Sequence, residues 1–132
     1  MKTSIATAPP YLTKDGSEIR ELMHPSVHGA THGAAAQSLA EATVPPGETT
    51  LAHRHLKTEE LYHVTAGSGL MRLGDTCFAV TAGDTVCIPP GTVHAITNTG
   101  ATPLIILCMC APPYAHDDTV LEAHDGARGE SC

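Results

Sequence analysis

Aromatic and basic residues are scarce in this chain of 132 residues. It has no Trp, one Phe and three Tyr, and its seven Lys and Arg stand against fourteen Asp and Glu, which gives a formal net charge of −7. Proteins that bind nucleic acids usually neutralise phosphates with a basic stripe, and the sequence has none. The composition therefore argues against a nucleic-acid partner, and it leaves Val, Ile, Leu, Ala and Cys to fill the core.

Long apolar runs are also missing. The longest, from Leu104 to Ala111, has the length of a strand and not the roughly 20 residues that a membrane-spanning helix needs. The first residues, Met1 to Ile5, lack the apolar segment of a signal peptide. We therefore expect a cytoplasmic location and no membrane partner.

Cysteine is present without a recognisable pairing pattern. The chain has five cysteines, and no two of them form a Cys-x-x-Cys pair. An odd number without that spacing argues against a disulfide framework. Cys87 and Cys108 lie in apolar runs, where a free thiol behaves as a small hydrophobic side chain.

Turn-forming residues divide the middle of the chain into short segments. Clusters of Pro and Gly separate eight apolar or alternating stretches that we interpret as strands: Gln37–Val44, Thr49–His55, Leu61–Thr65, Leu70–Leu73, Cys77–Val80, Thr85–Ile88, Thr92–Asn98 and Leu104–Cys110. Short strands at this spacing are typical of an all-β sandwich or barrel. The dipeptide Gly74-Asp75 predicts a hairpin turn between two of them.

The folded domain is predicted to cover residues 17–113. Residues 1–16 are polar and marked by Pro9-Pro10, and we interpret them as an N-terminal arm. Residues 114–132 form an acidic C-terminal tail with few residues suited to a core. One short helix is possible at Gly33–Ser38, although its alanine run is equally compatible with a loop.

Histidine is unusually frequent, with nine in the chain. His24, His28 and His32 are spaced four apart, but Pro25 and Gly29 argue against a helix in this segment. A polar loop is the favoured interpretation, and a second metal site is the alternative.

A second group of histidines has the spacing of metal ligands. His53 and His55 are separated by one residue, and a strand directs such a pair to the same face. A short turn then leads to Glu60, and Pro89-Pro90-Gly91 places His94 at the start of another strand. Three imidazoles and one carboxylate suit a divalent ion such as Fe, Mn, Ni, Zn, Cu or Co.

These residues belong to two longer motifs. The pattern G-x5-H-x-H-x3/4-E-x6-G is matched by residues 47–67, and the pattern G-x5-P-x-G-x2-H-x3-N is matched by residues 83–98, with every fixed position present. The pair resembles the two signature motifs of the cupin superfamily, and the chain is similar to its small single-domain members. The resemblance implies an all-β jelly roll, the double-stranded β-helix barrel of cupins.

The resemblance also implies one divalent metal per chain. Its ligands would be His53, His55, Glu60 and His94, and the rival carboxylate is Glu59. Spacing favours Glu60, which alone leaves six residues before the closing glycine of the first motif. Four ligands on a six-coordinate ion would leave two positions for water, dioxygen or a substrate.

Cupins with this ligand set include dioxygenases, oxalate-degrading enzymes, isomerases and binding proteins, so the ligands do not name the reaction. The leading hypothesis is a metal-dependent enzyme acting on a small oxygen-rich or acidic metabolite, with a dioxygenase as the first single chemistry. The alternatives are an isomerase, lyase or decarboxylase that needs no oxygen, or a non-catalytic protein that binds a small ligand. A purely structural metal site is disfavoured because such sites are normally closed by four tetrahedral ligands.

Three further residues are candidates for the pocket around the metal. Tyr62 shares strand parity with Glu60 and is expected to face inward. Arg20 could face the mouth of the barrel and bind a carboxylate, with a surface ion pair as the alternative. Gln37 could reach the pocket from its strand. The resemblance further implies a homodimer, because cupins commonly pair and often exchange N-terminal strands.

Overall fold

The computed structural model describes residues 1–122 and residue 132, so the predicted acidic tail lies largely outside the described residues. The elements in chain order are β1 (Pro10–Leu12), β2 (Glu18–Met23), α1 (Pro25–His28), β3 (Ser38–Val44), β4 (His53–His55), β5 (Glu59–Ala66), β6 (Ser68–Leu73), β7 (Thr76–Thr81), β8 (Thr85–Ile88), β9 (His94–Asn98), β10 (Leu104–Ala111) and β11 (Thr119–Leu121). Single 3₁₀ turns occupy Ile5–Thr7 and His116–Asp118. Among the described residues, no helix has the length and apolarity needed to cross a membrane.

The strands form two antiparallel sheets. One has the order β1-β2-β3-β10-β5-β8, and the other has the order β11-β4-β9-β6-β7. The neighbours in each sheet are mostly distant in sequence, as in a jelly roll, and the sheets stay separate instead of closing into one barrel. The prediction of an all-β jelly roll is confirmed at this level.

The core lies between the sheets. Along β3 the side chains of Ser38, Ala40, Ala42 and Val44 are buried, while the alternate side chains are half-buried. Large aliphatic side chains from both sheets complete this layer, among them Val64, Met71, Ile88, Ile96, Leu104 and Ile106, all at most 2% exposed. Burying each of these large side chains contributes about 1.5–3 kcal/mol. The histidine-bearing strands β4 and β9 belong to one of the two sheets that enclose this layer.

The hairpin around Gly74-Asp75 is confirmed. Leu73 pairs with Thr76 at the ends of β6 and β7, which leaves a turn of two residues. Gly74 has φ of +59°, a left-handed conformation that a glycine adopts without steric cost. The turn fixes the register of both strands, because a two-residue connection allows no slippage.

Of the two alternatives for Gly33–Ser38, the structure shows the loop up to residue 37 and no helix. Residues 33–37 are irregular, and a single helical turn forms instead at Pro25–His28. Pro25 is tolerated there because it occupies the first turn, where its missing N–H has no intrahelical partner. His24 caps this turn by accepting a hydrogen bond from the Ser26 N–H, and Gly29 ends it at φ of +80°. Pro25 and Gly29, which argued against a helix in the sequence, are therefore the residues at which this helical turn begins and ends.

Strands also form in the predicted arm and tail. β1 pairs with β2 of the same chain, and β11 pairs with β4 through Thr119 and His55. The cysteines differ from expectation as well, since Cys77 and Cys132 form a disulfide. An odd count of cysteines excludes complete pairing, but it does not exclude one bridge.

Candidate metal centre

Four predicted ligands converge between the two sheets. His53 and His55 extend from β4 and His94 from β9, and the strand register sets His53 directly opposite His94. Glu60 faces them from β5 in the other sheet. One ligand atom from each residue lies within 4.8 Å of the others, and all four side chains are buried. The neighbouring Glu59 is exposed.

Backbone carbonyls orient two of the imidazoles. The Nδ1 atom of His53 lies 2.9 Å from the Leu51 carbonyl oxygen, and that of His94 lies 3.0 Å from the Thr92 carbonyl oxygen. A carbonyl oxygen can only accept, so each Nδ1 carries the proton. The Nε2 atom of each ring is then a lone-pair donor that faces the centre, which is the tautomer a metal requires.

A hydroxyl group fixes the same tautomer of His55, with the proton on Nδ1. Its Nδ1 lies 3.0 Å from the Oγ1 of Thr119 on β11, and that hydroxyl donates its own proton to the Ala115 carbonyl oxygen. The hydroxyl therefore accepts from His55, and the lone pair on Nε2 faces Glu60. A strand within the predicted tail thus orients one of the ligands.

The charges of the cluster suit a bound cation. Burial favours a neutral Glu60, but the adjacent imidazoles of His55 and His94 outweigh it and lower the pKa of Glu60 to about 2. Burial, with His94 nearby, lowers the pKa of His53 to about 4, so this imidazole is neutral at neutral pH. Three lone pairs and a carboxylate face one another, and Nε2 of His94 is buried without a hydrogen-bond partner. Only a cation satisfies such an array, and the residues fit one divalent ion.

A thiol holds the second oxygen of Glu60. Cys110 lies opposite Glu60 in the register of β10 and β5, and its Sγ donates to Oε2 at 3.3 Å. Oε1 of Glu60 lies 3.0 Å from Nε2 of His55 and 3.5 Å from Nε2 of His94. Burial raises the pKa of the Cys110 thiol, which therefore stays protonated and can donate. Glu60 is oriented so that Oε1 alone faces the centre.

The centre opens onto a cavity of about 40 Å³ between the sheets, which is room for a few water molecules. His53, His55 and Glu60 line one side, while His94 lies behind them, fully buried. The aliphatic part of the wall comes from Ile19, Ala40, Ala42, Val44, Ile96 and Ile106. Among the described residues, no Lys or Arg lines this cavity.

The three other predicted pocket residues are placed differently. Tyr62 is buried and lines the cavity. Arg20 is directed to the other side of β2, where its Nη1 donates to the Ala8 carbonyl oxygen at 2.6 Å. Gln37 is exposed and precedes β3. Neither Arg20 nor Gln37 takes the inward position that was considered for it, because alternation directs Ile19 and Glu21 of β2, and Ser38 beside Gln37, to the cavity.

Two acidic residues of the cavity were missed by the sequence reasoning. Asp15 is buried in the turn between β1 and β2, and its Oδ2 lies 3.5 Å from Nε2 of His53. Its Oδ1 accepts hydrogen bonds from Thr13 and Ser17. Glu21 is 6% exposed and lines the cavity from β2. The Asp15-Gly16 dipeptide signals a turn, but nothing in the sequence shows that the turn covers the metal centre.

The remaining histidines form no second metal site among the residues that the structure describes. His24 lies 2.7 Å through Nε2 from the Tyr114 carbonyl oxygen, and its backbone N–H donates to Nδ1 of His28. His32 is exposed. The favoured interpretation of this segment as a polar loop is wrong for Pro25–His28, which form a helical turn, and the alternative of a second metal site finds no support among the described residues.

Known proteins are similar to this chain in sequence and in fold. A family model described as a cupin domain matches residues 40–110. An uncharacterized protein from Methanocaldococcus jannaschii is 50% identical over 119 residues, which cover 90% of this chain and 92% of that protein. A mannose-1-phosphate guanylyltransferase from Salmonella typhimurium is 32% identical over 79 residues, which cover 60% of this chain but only 16% of that enzyme.

Among solved structures, an oxalate decarboxylase from Lactobacillus farciminis in complex with formate superposes with a TM-score of 0.73 and 23% identity. The match covers 88% of this chain and 34% of that chain. At this identity the likeness concerns the fold alone. The matched family model covers more than half of the sequence and includes all four residues of the metal centre, and so the chain belongs to the cupin family.

Proposed function

We propose that the protein is a metal-dependent enzyme acting on a small oxygen-rich metabolite, and that its chemistry is oxidative cleavage by a dioxygenase. The observation that supports this most is the placement of a cluster of three histidines and one glutamate at the wall of a small cavity. A structural site would have no need of such a cavity. The cavity walls would exclude bulk water from a substrate bound beside the centre.

The four ligands would hold one divalent ion such as Fe, Mn, Ni, Zn, Cu or Co. When bound, this ion supplies a Lewis acid with room for further oxygen ligands. Tyr62 would orient the substrate. Burial raises the pKa of the Tyr62 hydroxyl well above its usual value, so it stays protonated and could donate a hydrogen bond to a substrate.

Charge narrows the class of substrate. Three carboxyl side chains line the cavity, from Asp15, Glu21 and Glu60, and the described lining contains no Lys or Arg. A substrate with two carboxylates would therefore find only the ion to neutralise it. This favours a neutral compound with two adjacent oxygens, such as a hydroxyketone or an enediol, over an acidic metabolite.

A second candidate is a decarboxylase, lyase or isomerase that needs no oxygen. Glu21 favours it, because a buried carboxyl group facing the cavity can protonate a carbanion. The likeness to an oxalate decarboxylase supports it only at the level of the fold. The third possibility is a cupin that binds a small ligand without converting it.

The test is an aerobic and anaerobic turnover screen with protein loaded with Fe, Mn, Ni, Zn, Cu or Co in turn. The panel contains neutral hydroxyketones and enediols beside dicarboxylates of equal size. Oxygen uptake is measured with an electrode, and product is measured by mass spectrometry. His94→Ala tests the site, and His63→Ala is the matched control, because His63 lies on the outer face of β5 and contacts Thr85.

We expect oxygen uptake with a neutral compound, unchanged in His63→Ala and lost in His94→Ala. Product without oxygen uptake would replace the dioxygenase with the second candidate. Ligand binding without product under every loading condition would contradict catalysis.

We also infer a homodimer. β1 is an edge strand whose three residues are all exposed, with Tyr11 at 43% and Leu12 at 71%. Covering such an edge with a second copy protects it from uncontrolled pairing. Sedimentation of the purified protein tests this, and a monomer at micromolar concentration would contradict it.

A further inference from the structure

Glu21 is a buried carboxyl group with an unsatisfied oxygen. The residue is 6% exposed, it lines the cavity from β2, and its Oε1 has no hydrogen-bond partner. A polar atom buried without a partner is unfavourable for folding. None of the four ligand residues hydrogen-bonds to it, so holding the ion does not account for its presence.

The same residue also borders the outside. Glu21 lines one surface groove together with Tyr11 and His24, and a second groove together with Tyr11 and His28. Tyr11 lies beside Glu21 in both grooves, and the two groups influence each other's pKa. Glu21 is thus part of the wall between the cavity and solvent, and it borders both the cavity and the surface grooves.

The groups around Glu21 leave it suited to carry a proton. Burial raises the pKa of Glu21, while the neighbouring His24, Tyr11 and His28 act in the opposite direction. On the inner side, the thiols of Cys108 and Cys110 line the cavity together with Glu21. Burial raises the pKa of Cys108 and Cys110, so both stay neutral at neutral pH.

We propose that Glu21 is the catalytic proton donor and acceptor of the cavity, and that it exchanges its proton with solvent on the side of Tyr11, His24 and His28. In the donating step the O–H bond of Glu21 breaks, and the proton passes to a substrate atom that bears an electron pair. Glu21 is left as a carboxylate, and water in the surface groove returns one proton. The catalytic part of this inference rests on the proposed function.

Infrared spectroscopy of the zinc-loaded protein tests the proton. The variants are Glu21→Gln and, as the matched control, Glu18→Gln, because Glu18 is exposed on the same strand. We expect a protonated-carboxyl band at neutral pH in the wild type and in Glu18→Gln, and none in Glu21→Gln. On transfer to D2O the band should shift long before the protein unfolds.

Two infrared outcomes overturn the proposal. One is a spectrum at neutral pH in which no protonated-carboxyl band depends on Glu21. The other is a band that shifts only at the rate of global unfolding, since such a proton does not reach solvent. Neither outcome depends on a substrate, so the proton claim can fail while the proposed function stands, or hold while it fails.

Kinetics test the catalytic role once a substrate is found in the turnover screen. We expect Glu21→Gln to lower kcat by about 100-fold or more, with little change in KM, and Glu18→Gln to leave both unchanged. A Tyr11→Phe variant should keep the band but shift its frequency, because the polar hydroxyl group beside Glu21 is lost. Equal kcat in Glu21→Gln and wild type overturns the catalytic role.

Discussion

The two ends of the cavity hold buried carboxyl groups with opposite surroundings. At the metal centre, Oε1 of Glu60 contacts two imidazoles and Oε2 accepts from Cys110, so both oxygens have partners. At the other end, Oε1 of Glu21 has none. The pKa of Glu60 is lowered to about 2, and that of Glu21 is raised. Burial is common to both, and the neighbouring groups decide in which direction each pKa moves.

This comparison predicts that the bound ion contributes to the free energy of unfolding through the four ligands of the metal centre, and that Glu21 has no part in this contribution. Removing the ion should lower the free energy of unfolding by about 2.7 kcal/mol when the ion had been present at 100 times its Kd. Chemical denaturation with and without a chelator measures this difference. Glu21→Gln should show the same difference as wild type, and His94→Ala should show none. A chelator effect that persists in His94→Ala would place the ion elsewhere.

The next largest effect is expected at Thr119. Thr119→Val keeps the shape of the side chain but removes the hydroxyl that accepts from Nδ1 of His55. Loss of such an outer hydrogen bond typically weakens metal binding by about 10–100-fold. Competition with a metal-sensitive chelator gives the affinity. An unchanged affinity would mean that β11 has no part in orienting His55.

A smaller effect is expected at Cys110, because a thiol is a weak hydrogen-bond donor. Cys110→Ala frees Oε2 of Glu60 and should weaken metal binding by about 10-fold at most. Cys87→Ala is the control, since Cys87 is an exposed free cysteine on β8. Cys110→Ser, which keeps a donor, should restore the affinity. If Cys110→Ala binds the ion as tightly as the wild type does, Cys110 has no part in orienting Glu60.

The smallest effect on metal binding is expected at Glu21. Because Glu21 hydrogen-bonds to none of the four ligands, Glu21→Gln should change the ion affinity by no more than about twofold. The same competition assay measures it. A tenfold change would show that the two ends of the cavity are coupled and would undermine their comparison as independent regions.

The four ligands of the metal centre could be predicted from the two sequence motifs, and strand alternation explains why. His53 and His55 share a face of β4, and the register of β4 with β9 brings His94 opposite. Both relations follow from residues close to the motifs. The hairpin at Gly74-Asp75 was readable for the same reason, since its signal is local.

The rest of the cavity depends on long-range pairing. Glu21 and Arg20 are adjacent on β2, and only the pairing of β2 with β3 decides which of them faces inward. Thr119 reaches His55 across 64 positions of sequence, in a segment whose composition indicated a tail. Asp15 is similar, because its turn is held over the centre by residues distant in sequence, such as Leu51, whose N–H donates to the Asp15 carbonyl oxygen. Single-sequence patterns carry no information on such partners.

The metal content of freshly purified protein tests the central claim most directly. Elemental analysis of the wild type, His63→Ala and the double variant His53→Ala/His94→Ala should give about one divalent ion per chain in the first two, as expected for a single site of three histidines and one carboxylate, and essentially none in the third. Fe, Mn, Ni, Cu or Co in that position would direct the work to oxygen uptake, and Zn would favour the oxygen-independent chemistries. If the wild type holds no ion under any loading condition, or if the double variant retains it, the cluster of three histidines and one glutamate is not a metal centre.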